Sequence, residues 1–238
     1  MPAATIAGMN RLDTEHQRLF AADPEAAAEG RVRQLVLAIC GPADWAPLSA
    51  VWRGVQADLE LPAPAIAING VDAFELRFSL AEPLPAATAA AFLDGLCARY
   101  LGDLAPARRR CWPSSDPGLT VEPTCIPRLQ AETGRWSAFV APDLAAVFGD
   151  DPSLDIEPGQ DAQAELLSHI RPLASAEFQV AMARLLPEPS HGVPALPNAG
   201  FATIPEPRAA GSGNRYDDPR AFLLDVMNDP SVNLDLRI

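Results

Sequence analysis

Residues 65 to 80 read AIAINGVDAFELRFSL, and the rest of the chain is organised around them. From Phe74 onward the residues alternate, with Phe74, Leu76, Phe78 and Leu80 on one side and Glu75, Arg77 and Ser79 on the other. A period of two marks a strand with one face in the core. Upstream, Ile66 and Ile68 alternate with Ala65 and Ala67, and Asn69-Gly70 separates the two runs. Asn-Gly is a strong hairpin signal because both residues tolerate positive φ. The expectation is an antiparallel hairpin whose loop is either these two residues or a longer one through Val71-Asp72.

Outward from the hairpin, the run VRQLVLAIC at 32–40 is nearly continuous in apolar residues and stops at Gly41-Pro42, which fits a buried central strand. Asp44 then caps a helix with Leu48, Val51, Trp52, Val55 and Leu59 on one stripe, ended by Pro62. After the hairpin, Pro83 and Pro85 start a second helix that buries Phe92, Leu93, Leu96, Cys97 and Tyr100. Arg108 to Trp112 follow as an edge strand. The order β-α-β-β-α-β, over about residues 32–113, is that of the split βαβ sandwich shared by ferredoxin-like and RNA-recognition-motif (RRM) folds. The fold class expected is therefore α+β, with an antiparallel sheet and extra C-terminal helices.

The flanks are read in the same way. A short helix is expected to begin with Asp13 as its cap and to be interrupted at Pro24. Residues 119–148 offer a strand near Leu119 to Ile126, another at Arg135 to Val140 and a helix from Pro142 to Phe148, as partial cover for the free sheet face. Two helices fill 161–186, the second capped by Ser175, and complete a domain over 1–186. Residues 187–216 contain six Pro with no apolar period and read as a linker. At 217–238 the start signals Asp218-Pro219 and Asp229-Pro230 predict a helical tail. Its apolar residues Phe222, Leu223, Val226, Met227 and Leu234 are candidates for binding a protein partner. The apolar pattern runs to Ile238 with no stop signal, which suggests a truncated chain or a tail completed by that partner.

Composition narrows the chemistry. All 18 basic residues are Arg, so Schiff-base chemistry and a phosphate loop ending in Gly-Lys-Ser/Thr are excluded. The net charge of −13 divides as 10 Arg against 13 acids in 1–115, 4 against 11 in 116–186 and 4 against 7 in 187–238. Strong non-specific nucleic-acid binding draws on clustered positive charge, which the chain as a whole lacks. Cys40, Cys97, Cys111 and Cys125 form no C-x-x-C pair and read as reduced, mostly buried thiols. His16, His169 and His191 stand apart from one another and from every Cys, and no metal site or cofactor is expected. No Gly-x-Ser-x-Gly turn frames Ser79, Ser137 or Ser190 as a hydrolase nucleophile. No secretory signal or membrane span is read, and a cytoplasmic location is the expectation.

The strand LVLAIC, the helix after it and the hairpin AINGVDAFELRF resemble the core of the archaeo-eukaryotic primase superfamily over about residues 31–113. In active members the first strand ends in D-x-D, two carboxylates that hold divalent metals, and the hairpin carries Ser-Gly followed by a His. Here Ala38 and Cys40 stand at the two carboxylate positions, Asn69-Gly70 replaces Ser-Gly and Glu75 falls near the His. Two-metal chemistry needs anionic oxygen ligands, so the resemblance implies a catalytically degenerate relative. The tail DDPRAFLLDVMNDPSVNLDLRI resembles a segment of phage terminase small subunits.

Candidate nucleic-acid contacts are Arg108, Arg109 and Arg110, whose forks fit phosphate, and Arg77 on the face away from the Phe row. The plainer readings are a solvated turn for the first three and a cross-strand ion pair with Glu75 for the last. Trp45, Trp52, Trp112 and Trp136 read as core or seam residues. The expectation is a non-catalytic nucleic-acid-binding or adaptor protein of phage or mobile-element DNA metabolism. The alternatives are a metal-dependent nucleotidyltransferase of the primase-polymerase kind and a terminase-like assembly protein.

Overall fold

The computed structural model describes residues 10–185 except 117, 119, 121 and 122. The linker at 187–216 and the tail, with Phe222, Leu223, Val226, Met227 and Leu234, lie outside the described residues. Among those described, the architecture is α+β. The strands are β1 (Arg31–Cys40), β2 (Ala65–Ile68), β3 (Ala73–Pro85), β4 (Arg109–Trp112), β5 (Arg128–Leu129) and β6 (Trp136–Val140). They form one sheet in the order β4-β1-β3-β2-β6-β5, with every neighbouring pair antiparallel. The helices are α1 (Arg11–Phe20), α2 (Pro24–Ala28), α3 (Trp45–Ala57), α4 (Ala86–Tyr100), α5 (Gln160–Ser168) and α6 (Ser175–Leu185).

Local chemistry sets most boundaries. Asp44 accepts from the Ala46 amide and starts α3, and Asp23 accepts from Glu25 and Ala26 to start α2 with Pro24 in its first turn. The cap of α1 is Asn10, whose side chain accepts from the Asp13 amide, so Asp13 belongs to the first turn instead of preceding it. Ser175 is likewise inside its helix: the Phe178 amide donates to the Ala174 carbonyl, and the Ser175 hydroxyl donates to Glu82.

The hairpin forms, with a longer loop. Asn69 Oδ1 accepts from the amides of Val71, Asp72 and Ala73, each at 2.9 Å, an Asx arrangement that closes a four-residue turn. Only Gly70 takes a positive φ there, at 79°.

The core lies on both sides of the sheet. On one face Leu35, Leu37, Ile39, Phe74, Leu76 and Phe78 pack against α3, α4 and α6. Each fully buried Phe or Leu there contributes about 1.5–3 kcal/mol by leaving water. On the other face Leu12 and Leu19 of α1 and Ala164 and Leu167 of α5 pack on Ala65, Ala67 and Phe139. The alternating stretch is consequently buried on both faces from Ala73 to Leu80, and the half-buried strand expected from its period is corrected.

The cover also differs in origin. Among the described residues of the stretch Leu119 to Ile126, Thr120 makes an isolated bridge with Cys111. Trp136–Val140 extends the sheet beside β2, and Pro142 to Phe148 yields a 3-10 turn at Ala145–Phe148. Where β5 stops, Gln163 takes over its role. The side-chain oxygen accepts from the Phe139 amide at 2.7 Å and the side-chain nitrogen donates to the Phe139 carbonyl at 3.0 Å.

Candidate nucleic-acid interface

Register defines the site. Ala38 in β1 is opposite Glu75 of β3 on one side and Arg110 of β4 on the other. Strand alternation puts these three on the face turned away from α3 and α4, while Arg109, opposite Ile39, turns to the helix-covered face. The three consecutive arginines do not share one side. Arg109 and Arg110 straddle the edge strand, half-buried, and Arg108 lies in the 3-10 turn before it.

Their hydrogen bonds differ. Arg108 donates to the carbonyls of Pro42 at 2.7 Å and Cys40 at 3.5 Å, tying the segment after β1 to the edge. Arg110 donates to the Ala107 and Arg109 carbonyls at 2.7 and 3.0 Å. Among the described residues none of the three forms an ion pair.

A cavity of about 220 Å³ lies beside this edge. Its floor is Ala38, Cys40 and Ala73, and Asn69, Asp72, Glu75 and Arg110 stand around it. The fold thus gathers the positions singled out by the primase resemblance. Their donors do not suit a divalent ion. Glu75 is already bonded to Arg77, Asp72 accepts from the Asn69 side-chain amide at 3.1 Å, and the Arg110 cation adds repulsion. Burial pushes the Cys40 thiol up despite Arg110 nearby, and the thiol donates to the Arg108 carbonyl at 3.6 Å. It is a poor Mg²⁺ ligand and a poor nucleophile. Among the described residues no three His, Cys, Asp or Glu are grouped to hold a metal.

Arg77 is elsewhere in chemical terms. It is 2% exposed, paired to Glu75 at 2.7 Å, and donates to the Thr124 carbonyl at 2.6 Å. Its donors are taken up by the Glu75 carboxylate and the Thr124 carbonyl.

Trp45, Trp52 and His16 serve the core. Trp45 stacks obliquely on Phe74 with centroids 5.9 Å apart, and Trp52 donates to the Pro64 carbonyl at 3.2 Å. His16 is wedged against Phe20 and Phe139 and contacts the Ile126 carbonyl. Burial is the main cause that lowers its pKa. His169 lies 3.3 Å from Glu165 at the surface, and His191 is outside the described residues.

Two features escape a reading of the sequence: the cover by α1 and α5, and the meeting of Cys97 with Cys111. The first has a signal in the apolar spacing of Leu12 and Leu19. The second has half of one, since the apolar row of α4 puts Cys97 on the inward side of that helix.

Among the described residues no helix is long and apolar enough to cross a membrane. No protein-family model matches this chain, and no curated protein matches it.

Proposed function

We propose that the protein is a non-catalytic nucleic-acid-binding or adaptor component, built on an RRM/ferredoxin-like core that resembles a degenerate primase domain. The observation that carries this reading is the pairing of Ala38 with Arg110 on one side and Glu75 on the other. At the level where an active relative would present a metal-binding carboxylate there is a methyl group, flanked by an arginine and by a carboxylate already bonded to Arg77.

The core assignment is supported by the order β4-β1-β3-β2, with α3 and α4 as the two helical connections, and β6 and β5 would be additions at the β2 edge. An RRM stacks bases on the open face of its sheet. Here α1 and α5 cover part of that face, so a nucleic acid would follow the β4 edge, where Arg109 and Arg110 can grip phosphates from either side of the strand. With a net charge of −13, binding would be weak and salt-sensitive. Phage or mobile-element DNA metabolism is the setting that the two resemblances suggest.

The test is fluorescence anisotropy of a short labelled single-stranded DNA at low salt and without divalent metal. Arg109→Ala with Arg110→Ala is expected to weaken binding at least about tenfold. Undiminished affinity in the double variant, or incorporation of labelled nucleotides on a primed template with Mn²⁺, overturns the reading.

A further inference from the structure

Two of the four cysteines meet where α4 packs on the sheet. Cys111 is opposite Leu37 in the β1-β4 register and so turns to the helix-covered face, the reverse of Arg110. Cys97 lies on the inward side of α4, and the two residues are 7% and 6% exposed, in the order Cys97 and Cys111. Their thiols are within hydrogen-bonding reach of each other, and both line a cavity of about 370 Å³ that also holds Asp94, Arg109 and Ser115. The other two thiols are placed differently. Cys40 bonds to the Arg108 carbonyl on the opposite face, and Cys125 is exposed.

A bond between the two thiols holds the one that accepts it down and pushes the one that gives it up, while burial raises both and the Arg109 guanidinium lowers both, so either sulfur can attack and the other resolve.

We propose that Cys97 and Cys111 are a reversible dithiol–disulfide pair, closed between α4 and β4 by a low-molecular-weight disulfide that enters the cavity. One of the two, as thiolate, attacks one sulfur of the small disulfide, forms a mixed disulfide and expels one small thiolate, which takes up a proton. The other then loses its proton to solvent and attacks the protein sulfur of the mixed disulfide, and the second small thiolate leaves and takes up a proton. Two protein thiols are oxidised and one small disulfide is reduced to two thiols. The pair does not depend on nucleic-acid binding.

The experiment uses the full chain, as wild type and with Cys40→Ser and Cys125→Ser, reduced, freed of reductant and treated with oxidised glutathione. Peptide mapping by mass spectrometry is expected to find Cys97 joined to Cys111, reversed by dithiothreitol. In the same background, Cys111→Ser should stop as a glutathione adduct on Cys97, and Cys97→Ser as one on Cys111. Free thiols at both positions, or a wild-type chain that stops at the adduct, overturns the pair. Should the serine variants lose their helical circular dichroism, the wild-type map decides alone.

Discussion

Arg77 and Glu75 lie two residues apart on β3 and close an ion pair of 2.7 Å in which the two residues are 2% and 4% exposed. They share the face on which Ser79 donates to the Leu19 carbonyl at 2.7 Å, so this strand meets α1 through polar groups and α3, α4 and α6 through Phe and Leu. A paired charge in the interior adds little net stability, yet it makes each partner depend on the other, because a lone buried charge has nothing to replace its lost hydration.

Replacing Arg77 alone should therefore be severe. Arg77→Met leaves the Glu75 carboxylate enclosed without its cation and is expected to cost about 3–5 kcal/mol in urea unfolding. Glu75→Leu with Arg77→Met removes both charges and should recover most of that loss. A double variant no more stable than Arg77→Met would show that the Thr124 contact, and not the pair, carries the effect.

How far the sequence foretells this arrangement depends on the kind of interaction. The hairpin, β1, the Asp44 cap and the inward row of α4 follow from local periodicity and capping, which neighbouring residues determine by themselves. The burial of Glu75 and Arg77 does not, since it depends on α1 and on residues 123–125, which lie far from the hairpin along the chain, one on each side. Strand alternation by itself separates Arg109 from Arg110, because consecutive residues of a strand point to opposite faces. The clustering of Ala38, Asn69, Glu75 and Arg110 is a matter of register between strands distant in the chain.

The loop at Asn69 gives a second expectation. Gly70 has φ of 79°, and a Cβ there would sit 2.8 Å from the Ser137 amide nitrogen and 2.9 Å from the Trp136 carbonyl carbon, both backbone of β6. Gly70→Ala should cost more than the roughly 1–3 kcal/mol of the backbone strain alone. Gly134→Ala is the control, with φ of 67° and nothing within 4 Å of its Cβ, and should show the strain without the clash. Equal losses in thermal unfolding would mean that β6 gives way freely.

His16 links stability to pH. Burial is the first cause of its lowered pKa, with the Arg77 charge acting in the same sense. The unfolded chain, at about 6.5, then binds the proton more readily than the folded one. Stability is full above that value, falls as pH drops through 6.5 towards the folded pKa, and levels off below it. His16→Gln, which keeps a donor for the Ile126 carbonyl, should flatten the melting temperature between about pH 7 and 5. The lowered carboxyls of Glu165 and Glu177 act in a more acidic window, below 4.5, and should remain in the variant.

Salt dependence separates phosphate contact from structural effects at the β4 edge. Each phosphate neutralised on a single strand contributes about 0.7 to the slope of log affinity against log salt, so loss of Arg109 and Arg110 should reduce its magnitude by about 1.4. A variant weakened only because its edge strand is disordered would keep the slope of the contacts that remain and change in circular dichroism. Arg77→Met, which removes a buried guanidinium already bonded to Glu75 and Thr124, should leave the slope where it is in the fraction that folds. Titrations of the three proteins against one labelled oligonucleotide over a range of salt give all three slopes, and an unchanged slope for the double variant would place the phosphates elsewhere.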